Sequence, residues 1–469
     1  APRNPCWPCR GQWPWLRSNR PRLRPPALVR NGAHLGAQQL RRVANAFGNL
    51  AARTLPDEGD EARRPRAWLA NLMVLLAVLI PVAVIVAVVS LALGEVGSTA
   101  FEECRADVLE RQAAVRVLNQ QARQNLTSPQ AAEARAQWQS LQQEAWACQA
   151  KKPGDEEMAR VAGEAQNNLD YYDRVSRREV LALRQFPPNA ELRGPVSGNW
   201  IQLYTLDRAN DAVYRDEMNP LNGSLVAVGD APIIFEGQSI RGLTVGDLID
   251  IEWLERGGLP EGRTNVPIVM DEDGLLIWYS DSFARLDAYQ LVTPATWSRA
   301  VALAMWNVNL YILDAGANQI WRYVPNRGLY SEVPEEYFSG ENRPDLSLAM
   351  DMGISDRGEI YVLFATGAVR RYLGGAEQPF ELYNVTEGAL VSGSSLLVDN
   401  NPLTRDLVIT DPSNQTVYTI SLGGTVQFGY RPLEPLNAFE GASGALSYAT
   451  NQFQLIYVVA GNKLYSFRR

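Results

Sequence analysis

The chain has 469 residues and a net charge of −8, too long for one ordinary domain and long enough to bury a sizeable core. The charge is unevenly placed. Residues 1–67 carry 13 Arg, no Lys and four acids, a balance of +9, while residues 95–469 carry 31 basic and 48 acidic side chains, a balance of −17. Phosphate affinity needs basic surface, so the acidic C-terminal part excludes nucleic acid as its partner. The single His is His34. The C-terminal part therefore lacks a Ser-His-Asp triad, a His metal ligand and an imidazole base.

Residues 1–67 open with APRNPCWPCRGQWPWLRSNRPRLRPP, crowded with Pro, Arg and Trp and without apolar periodicity. They are expected to form an Arg/Pro-rich cytoplasmic tail, largely disordered. Cys6 and Cys9 make a C-x-x-C, but a zinc site needs four ligands and a redox pair needs a βαβ setting, so the pair is incidental. Leu40, Val43, Phe47 and Leu50 share one face of a short helical pattern. This suits either a basic amphipathic helix on the inner leaflet or a fragment of a soluble domain.

No charge occurs between Ala67 and Gly94. As a helix, residues 68–93 would rise about 39 Å, against a hydrocarbon core of about 30 Å. A transmembrane helix is expected there, with Pro81 tolerated inside it. Arg63, Arg64 and Arg66 precede it and Glu95 follows. The positive-inside rule then predicts a single-pass protein of the cell membrane, N-terminus cytoplasmic and C-terminal domain extracytoplasmic. Ser90-Leu91-Ala92 fits a signal-peptidase site, but the basic region before the run and the run itself are both too long for a cleaved signal.

Residues 95–184 read as a helical stalk with helices at about 99–126, 129–150 and 155–184. The first carries Phe101, Cys104, Val108, Val115, Leu118 and Ala122 on one stripe. The second, with Ser128 as N-cap and Pro129 in the first turn, carries Ala131, Ala134, Trp138, Leu141, Ala145 and Cys148. The third starts on Asp155-Glu156-Glu157, acids that suit the dipole, and carries Met158, Val161, Ala165, Leu169 and Tyr172. Short loops imply antiparallel neighbours. In such a hairpin Cys104 and Cys148 face each other on buried stripes. A disulfide between them would stabilise by about 4 kcal/mol, and the alternative is two free buried thiols. The run PGDEEMARVAGEAQNNLDYYD resembles the helices of tetratricopeptide-type hairpins, although no 34-residue repeat recurs.

From about Arg184 the pattern changes to strands, and residues 185–469 repeat one theme: a strand with Tyr or Leu, a turn of Asp, Gly and Asn, and a strand with an aromatic. It occurs at 203–215, 275–289, 310–323, 360–372, 407–420 and 456–467, with room between most copies for two more strands. Periods of about 40–50 residues with four short strands are the mark of propeller blades. Asp207, Asp314 and Asp411 end the first strand of their copies and are expected to bond turn amides. Asp271-Glu272-Asp273-Gly274 and Asp356-Arg357-Gly358 read as hairpin turns rather than calcium sites, which need six to eight oxygens. Four N-x-S/T sequons, at Asn125, Asn222, Asn384 and Asn414, are ascribed to chance.

The copies, above all LYILDAGANQIWRY, resemble NHL-type and related six-bladed β-propeller repeats. The order of parts resembles bacterial, Chloroflexi-like membrane proteins in which a PPM-type phosphatase domain precedes the span. No Asp-Gly metal motif occurs before residue 68, so the resemblance places phosphatase activity in an upstream region and not in this sequence. The expected architecture is a single transmembrane helix, an α-helical stalk and an all-β six-bladed propeller. The expected function is a membrane-anchored binding, scaffold or sensor module, non-catalytic in this chain, with a protein, peptide or glycan ligand at the propeller face. The alternative is a lactonase-like, metal-dependent hydrolase in the propeller channel. No acidic residue recurs at the inner-strand position such a site needs, so no catalytic residue, metal ligand or cofactor is nominated.

Overall fold

The computed structural model describes residues 67–126, 128–340, 343–386 and 388–469. The tail, Cys6 and Cys9, the amphipathic pattern around Phe47, and Arg63, Arg64 and Arg66 lie outside the described residues. The chain divides into two compact units, Ala1–Leu93 and Gly94–Arg469. Three helices come first: α1 (Ala67–Ala122), α2 (Pro129–Gln149) and α3 (Glu156–Tyr172). Among the described residues no helix is long and apolar enough to cross a membrane. This overturns the expected transmembrane segment at 68–93, and with it the single-pass cell-membrane localisation. The apolar run is not an element of its own: α1 carries it directly into turns with Glu102, Glu103 and Arg105.

The predicted stripes form the helical core. Phe101, Val108, Val115 and Ala122 of α1 pack with Trp138, Leu141 and Cys148 of α2 and with Met158, Val161 and Leu169 of α3. Both caps form as the sequence dictates: the Ala131 N–H donates to Ser128 Oγ at 3.2 Å and the Met158 N–H to Asp155 Oδ1 at 3.0 Å. Ion pairs lie along the seams, Arg105 Nε on Glu157 Oε2 at 2.7 Å and Arg116 Nε on Glu164 Oε1 at 2.6 Å. The tetratricopeptide-like reading is not supported; the helices make one small bundle with no repeat. The third helix ends at Tyr172 rather than 184. Asp173 caps it, Arg174 turns left-handed at φ 53°, and two short strands follow, Val175–Arg178 and Leu181–Gln185.

Those two strands belong to the propeller. The chain is a six-bladed β-propeller, each blade a twisted antiparallel sheet with its first strand at the centre. The inner strands are Leu192–Val196, Leu248–Leu254, Ala300–Trp306, Ala349–Ile354, Ser395–Val398 and Ala442–Ala449, for blades 1 to 6. The second strands begin at Gln202, Val266, Asn309, Ile360, Asp406 and Gln454. The copy read at 275–289 is therefore out of phase, being strands three and four of blade 2, which explains the uneven spacing in the sequence. Blade 6 takes only three strands from the C-terminus; its outer strand is Leu181–Gln185, antiparallel to Lys463–Arg468. Val175–Arg178 adds in parallel to Val426–Pro432 of blade 5. The start and end of the propeller sequence thus share one sheet, which closes the ring and covers edges that would otherwise invite pairing.

Four of the six blades are pinned at the end of the second strand. Asp207, Asp271, Asp314 and Asp411 occupy this position in blades 1, 2, 3 and 5, all essentially buried. Asp314 accepts from Ser298 N at 3.0 Å, Arg299 N at 2.9 Å, Gly316 N at 3.1 Å, Ala317 N at 2.9 Å and Trp321 Nε1 at 3.1 Å. Asp271 likewise accepts from the N–H groups of Gly246, Asp273 and Leu275, and Gly274 takes φ 81° to close the turn. The predicted turn role of these aspartates holds, and it extends to the loop entering the same blade. Replacing Asp314 with Ala strands several buried donors at once. Asp314→Ala is expected to lower unfolding free energy by about 3–5 kcal/mol, read by chemical denaturation, and a loss below about 1 kcal/mol would show that water can serve those donors instead.

Candidate functional site

The inner strands approach one another around a central channel, and the register defines which positions correspond. A bulge follows the first residue in blades 2, 3, 4 and 6, and the residue after it is Asp250, Ala302, Asp351 or Gly444. An acidic residue therefore does recur at one inner-strand position, in blades 2 and 4, contrary to the sequence-based expectation. The signal was present as Leu248-Ile249-Asp250-Ile251 and Ala349-Met350-Asp351-Met352, two apolar residues, an Asp and another apolar residue. It was hidden because the bulge breaks the two-residue alternation by which strands are aligned.

Both aspartates reach to the next blade. Asp250 Oδ2 accepts from Leu303 N at 2.7 Å and Asp351 Oδ2 from Leu396 N at 2.8 Å. Between them lies Arg193, from the inner strand of blade 1. Its Nη1 donates to Ser394 O on blade 5 at 2.8 Å and stands 4.0 Å from Asp351 Oδ2. The side chain of Arg193 thus links blade 1 to blades 4 and 5 through the centre of the ring. Burial raises the carboxyls of both Asp250 and Asp351 above the ordinary range, Asp250 adds to the rise at Asp351, and Arg193 opposes it at both. Arg208, in the turn of blade 1, is pushed down by burial and then by Arg193.

Glu252 lies two residues beyond Asp250, on the same face of the strand, and is half-buried. Its Oε1 accepts one hydrogen bond, from Trp253 N at 2.7 Å. Among the described residues no basic side chain forms an ion pair with it. Burial pushes its carboxyl up to about 8, and Asp250 and Asp351 add to the rise. Among the described residues no three His, Cys, Asp or Glu side chains come together so as to hold a metal ion. The channel carboxylates point at backbone N–H groups and Arg193, not at a shared centre.

No family model matches this chain, and no curated protein matches it in sequence. Solved structures match it in the propeller. Virginiamycin B lyase from Staphylococcus aureus is 9% identical with a TM-score of 0.37, covering 62% of this chain and 98% of its own. Regucalcin from Agrobacterium tumefaciens, described as a calcium-binding protein, is 10% identical with a TM-score of 0.41, covering 62% and 94%. YCF48, solved with a D1 peptide, is 10% identical with a TM-score of 0.37, covering 62% and 97%. At these identities the similarity is one of fold alone.

Cys104 and Cys148 both carry free thiols. Cys148 is buried and its thiol lies 3.9 Å from the Phe101 carbonyl oxygen, while Cys104 is half-buried. Burial first, and then the neighbouring Cys104 thiol, push the Cys148 thiol up. The two thiols are neighbours across the α1–α2 seam and are not bridged.

Two outcomes follow. An acid whose folded pKa lies above its unfolded one holds its proton longer when folded, so stability is full below pH about 4.5 and falls as pH rises through about 8. Glu252→Gln, which keeps the acceptor for Trp253 N, is expected to melt like the parent at pH 5 and above it at pH 8; parallel melting curves at both would show the carboxyl to be well solvated. For the thiols, a short iodoacetamide pulse at pH 8 with mass mapping is expected to label Cys104 well before Cys148, with both labelled after denaturation. Equal labelling of the native chain would contradict the burial of Cys148, and no labelling after denaturation without reductant would place a disulfide there.

Proposed function

We propose that the propeller is a binding module whose channel receives a ligand carrying a positively charged amine or guanidinium, held at Glu252. The observation that carries this reading is the imbalance of the channel wall. Asp250 and Asp351 are served by neighbouring N–H groups and by Arg193, whereas Glu252 has one backbone hydrogen bond and no basic partner among the described residues. A carboxyl raised to about 8 at such a place is costly to keep charged, and perturbed acids in clefts mark functional sites. An incoming cation supplies the missing countercharge. It lowers the pKa of Glu252 and releases a proton as it binds.

A catalytic reading draws on the same residue, because a carboxyl that is protonated near neutral pH can act as a general acid. Metal-dependent hydrolysis lacks support among the described residues, where no ligand set converges. Binding is favoured over general-acid chemistry because, among the described residues, no nucleophile–base pair accompanies Glu252: its channel neighbours are Asp250, Asp351 and an Arg193 engaged with Asp351 and the Ser394 carbonyl.

Calorimetric titration of the full chain with arginine methyl ester, in two buffers of different ionisation heat at pH 7, tests this. Binding is expected with uptake of a proton by buffer, and Glu252→Gln is expected to abolish that proton release and weaken affinity by about tenfold. Unchanged affinity and proton count in the variant would sink the reading.

A further inference from the structure

We propose that a second site, the cleft between the α2–α3 hairpin and blade 5, binds a short acidic segment of a partner protein that presents carboxylates beside a large apolar side chain. The cleft measures about 760 Å³, within the range of small-molecule and peptide pockets. Trp146 of α2 lines it with 52% of its surface exposed, and Leu433 and Leu436 line it from the loop after blade 5, 45% and 67% exposed. Three large apolar side chains left open around one cavity form a patch that a partner would cover.

The charges around it give the sign of that partner. Residues 95–469 carry an excess of 17 negative charges, yet the only charged residues lining the cleft, among the described residues, are Arg177 and Arg431. Arg177 is already engaged by Asp170, at 2.7 and 3.2 Å. Arg431 is different: its Nε donates to Thr416 Oγ1 at 2.8 Å, and among the described residues no carboxylate pairs with it. Its remaining guanidinium donors are available to a carboxylate, for which the planar fork is well suited. The amides of Gln142 and Gln166, joined at 2.8 Å, line the same cleft, with Gln166 Nε2 also donating to Asp170 Oδ1 at 2.7 Å. An acidic segment meets a net negative charge over residues 95–469 as a whole and positive charge at this cleft, so the cleft selects by contrast as well as by contact. Tryptophan and arginine are also the residue types that dominate binding energy at interfaces.

The test uses the full chain and two fluorescein-labelled nonapeptides, one of alternating Glu and Leu with a central Trp, the other with Lys in place of each Glu. Anisotropy is expected to show the acidic peptide binding at least about tenfold tighter than the basic one, with Arg431→Glu and Trp146→Ala each weakening it about tenfold. Both variants are surface changes and should melt with the parent; Glu252→Gln should leave peptide affinity unchanged, which separates this site from the channel. The proposal is overturned if the acidic peptide does not bind, if Arg431→Glu binds it as well as the parent, or if the cleft is occupied by a second copy of the chain, seen as a dimer that Trp146→Ala dissolves.

Discussion

A six-bladed ring exists only if every blade is tied to its neighbours, and here each of the six junctions carries a hydrogen bond near the inner strands. Leu248 N donates to Asp211 Oδ1 between blades 1 and 2, and Leu303 N to Asp250 Oδ2 between blades 2 and 3. Arg299 Nη2 donates to Ser347 O, Leu396 N to Asp351 Oδ2, Ser394 Oγ to Ala442 O, and Ser443 Oγ to Leu192 O, which returns to blade 1. Apolar packing between blades supplies most of the stabilisation but is not directional. These polar links fix how far each blade turns relative to the next. Two of these links, at Asp250 and Asp351, also give the channel part of its charge.

Arg193 completes this layer in a different way. A guanidinium near the centre of the ring, hydrogen-bonded to the Ser394 carbonyl and close to Asp351, replaces the water and counterions that two raised aspartates would otherwise need. A buried ion group of this kind is weak evidence for added stability, because desolvation offsets the Coulombic gain. Its effect is geometric: blades 1, 4 and 5 are held to one another across the channel and not only around its rim.

Much of this was legible in the sequence. The stripes of the three helices, the cap at Ser128, and the turn aspartates Asp207, Asp314 and Asp411 follow from local periodicity and side-chain reach, and local rules suffice for them. What was missed depends on partners far away in the chain. The helix expected to run to 184 gives way to strands at Val175–Arg178 and Leu181–Gln185, because Gly429 to Pro432 and Lys463 to Ser466 offer them edges. The apolar run at 68–93 looked like an independent span and proved to be continuous with the charged turns of α1. Asp250 and Asp351 could be matched only once the bulge before each was known. Arg193 and Ser394 are 201 residues apart, so nothing in the sequence brings them together.

The clearest guide to the channel is a comparison between carboxylates within the same fold. Asp314 is buried, yet it is surrounded by five N–H donors, so its charge is answered on all sides by fixed dipoles. Glu252 is half-buried on the inner strand of blade 2 with a single N–H on one oxygen. The propeller readily supplies donors to an acid that holds its turns, in blade after blade. It does not supply them to Glu252, and its two aspartate neighbours raise the cost of its charge further. A structural acid in this protein is recognised by its satisfied oxygens. By that standard Glu252 stands apart from the turn acids, and the cation site proposed for the channel rests on that difference.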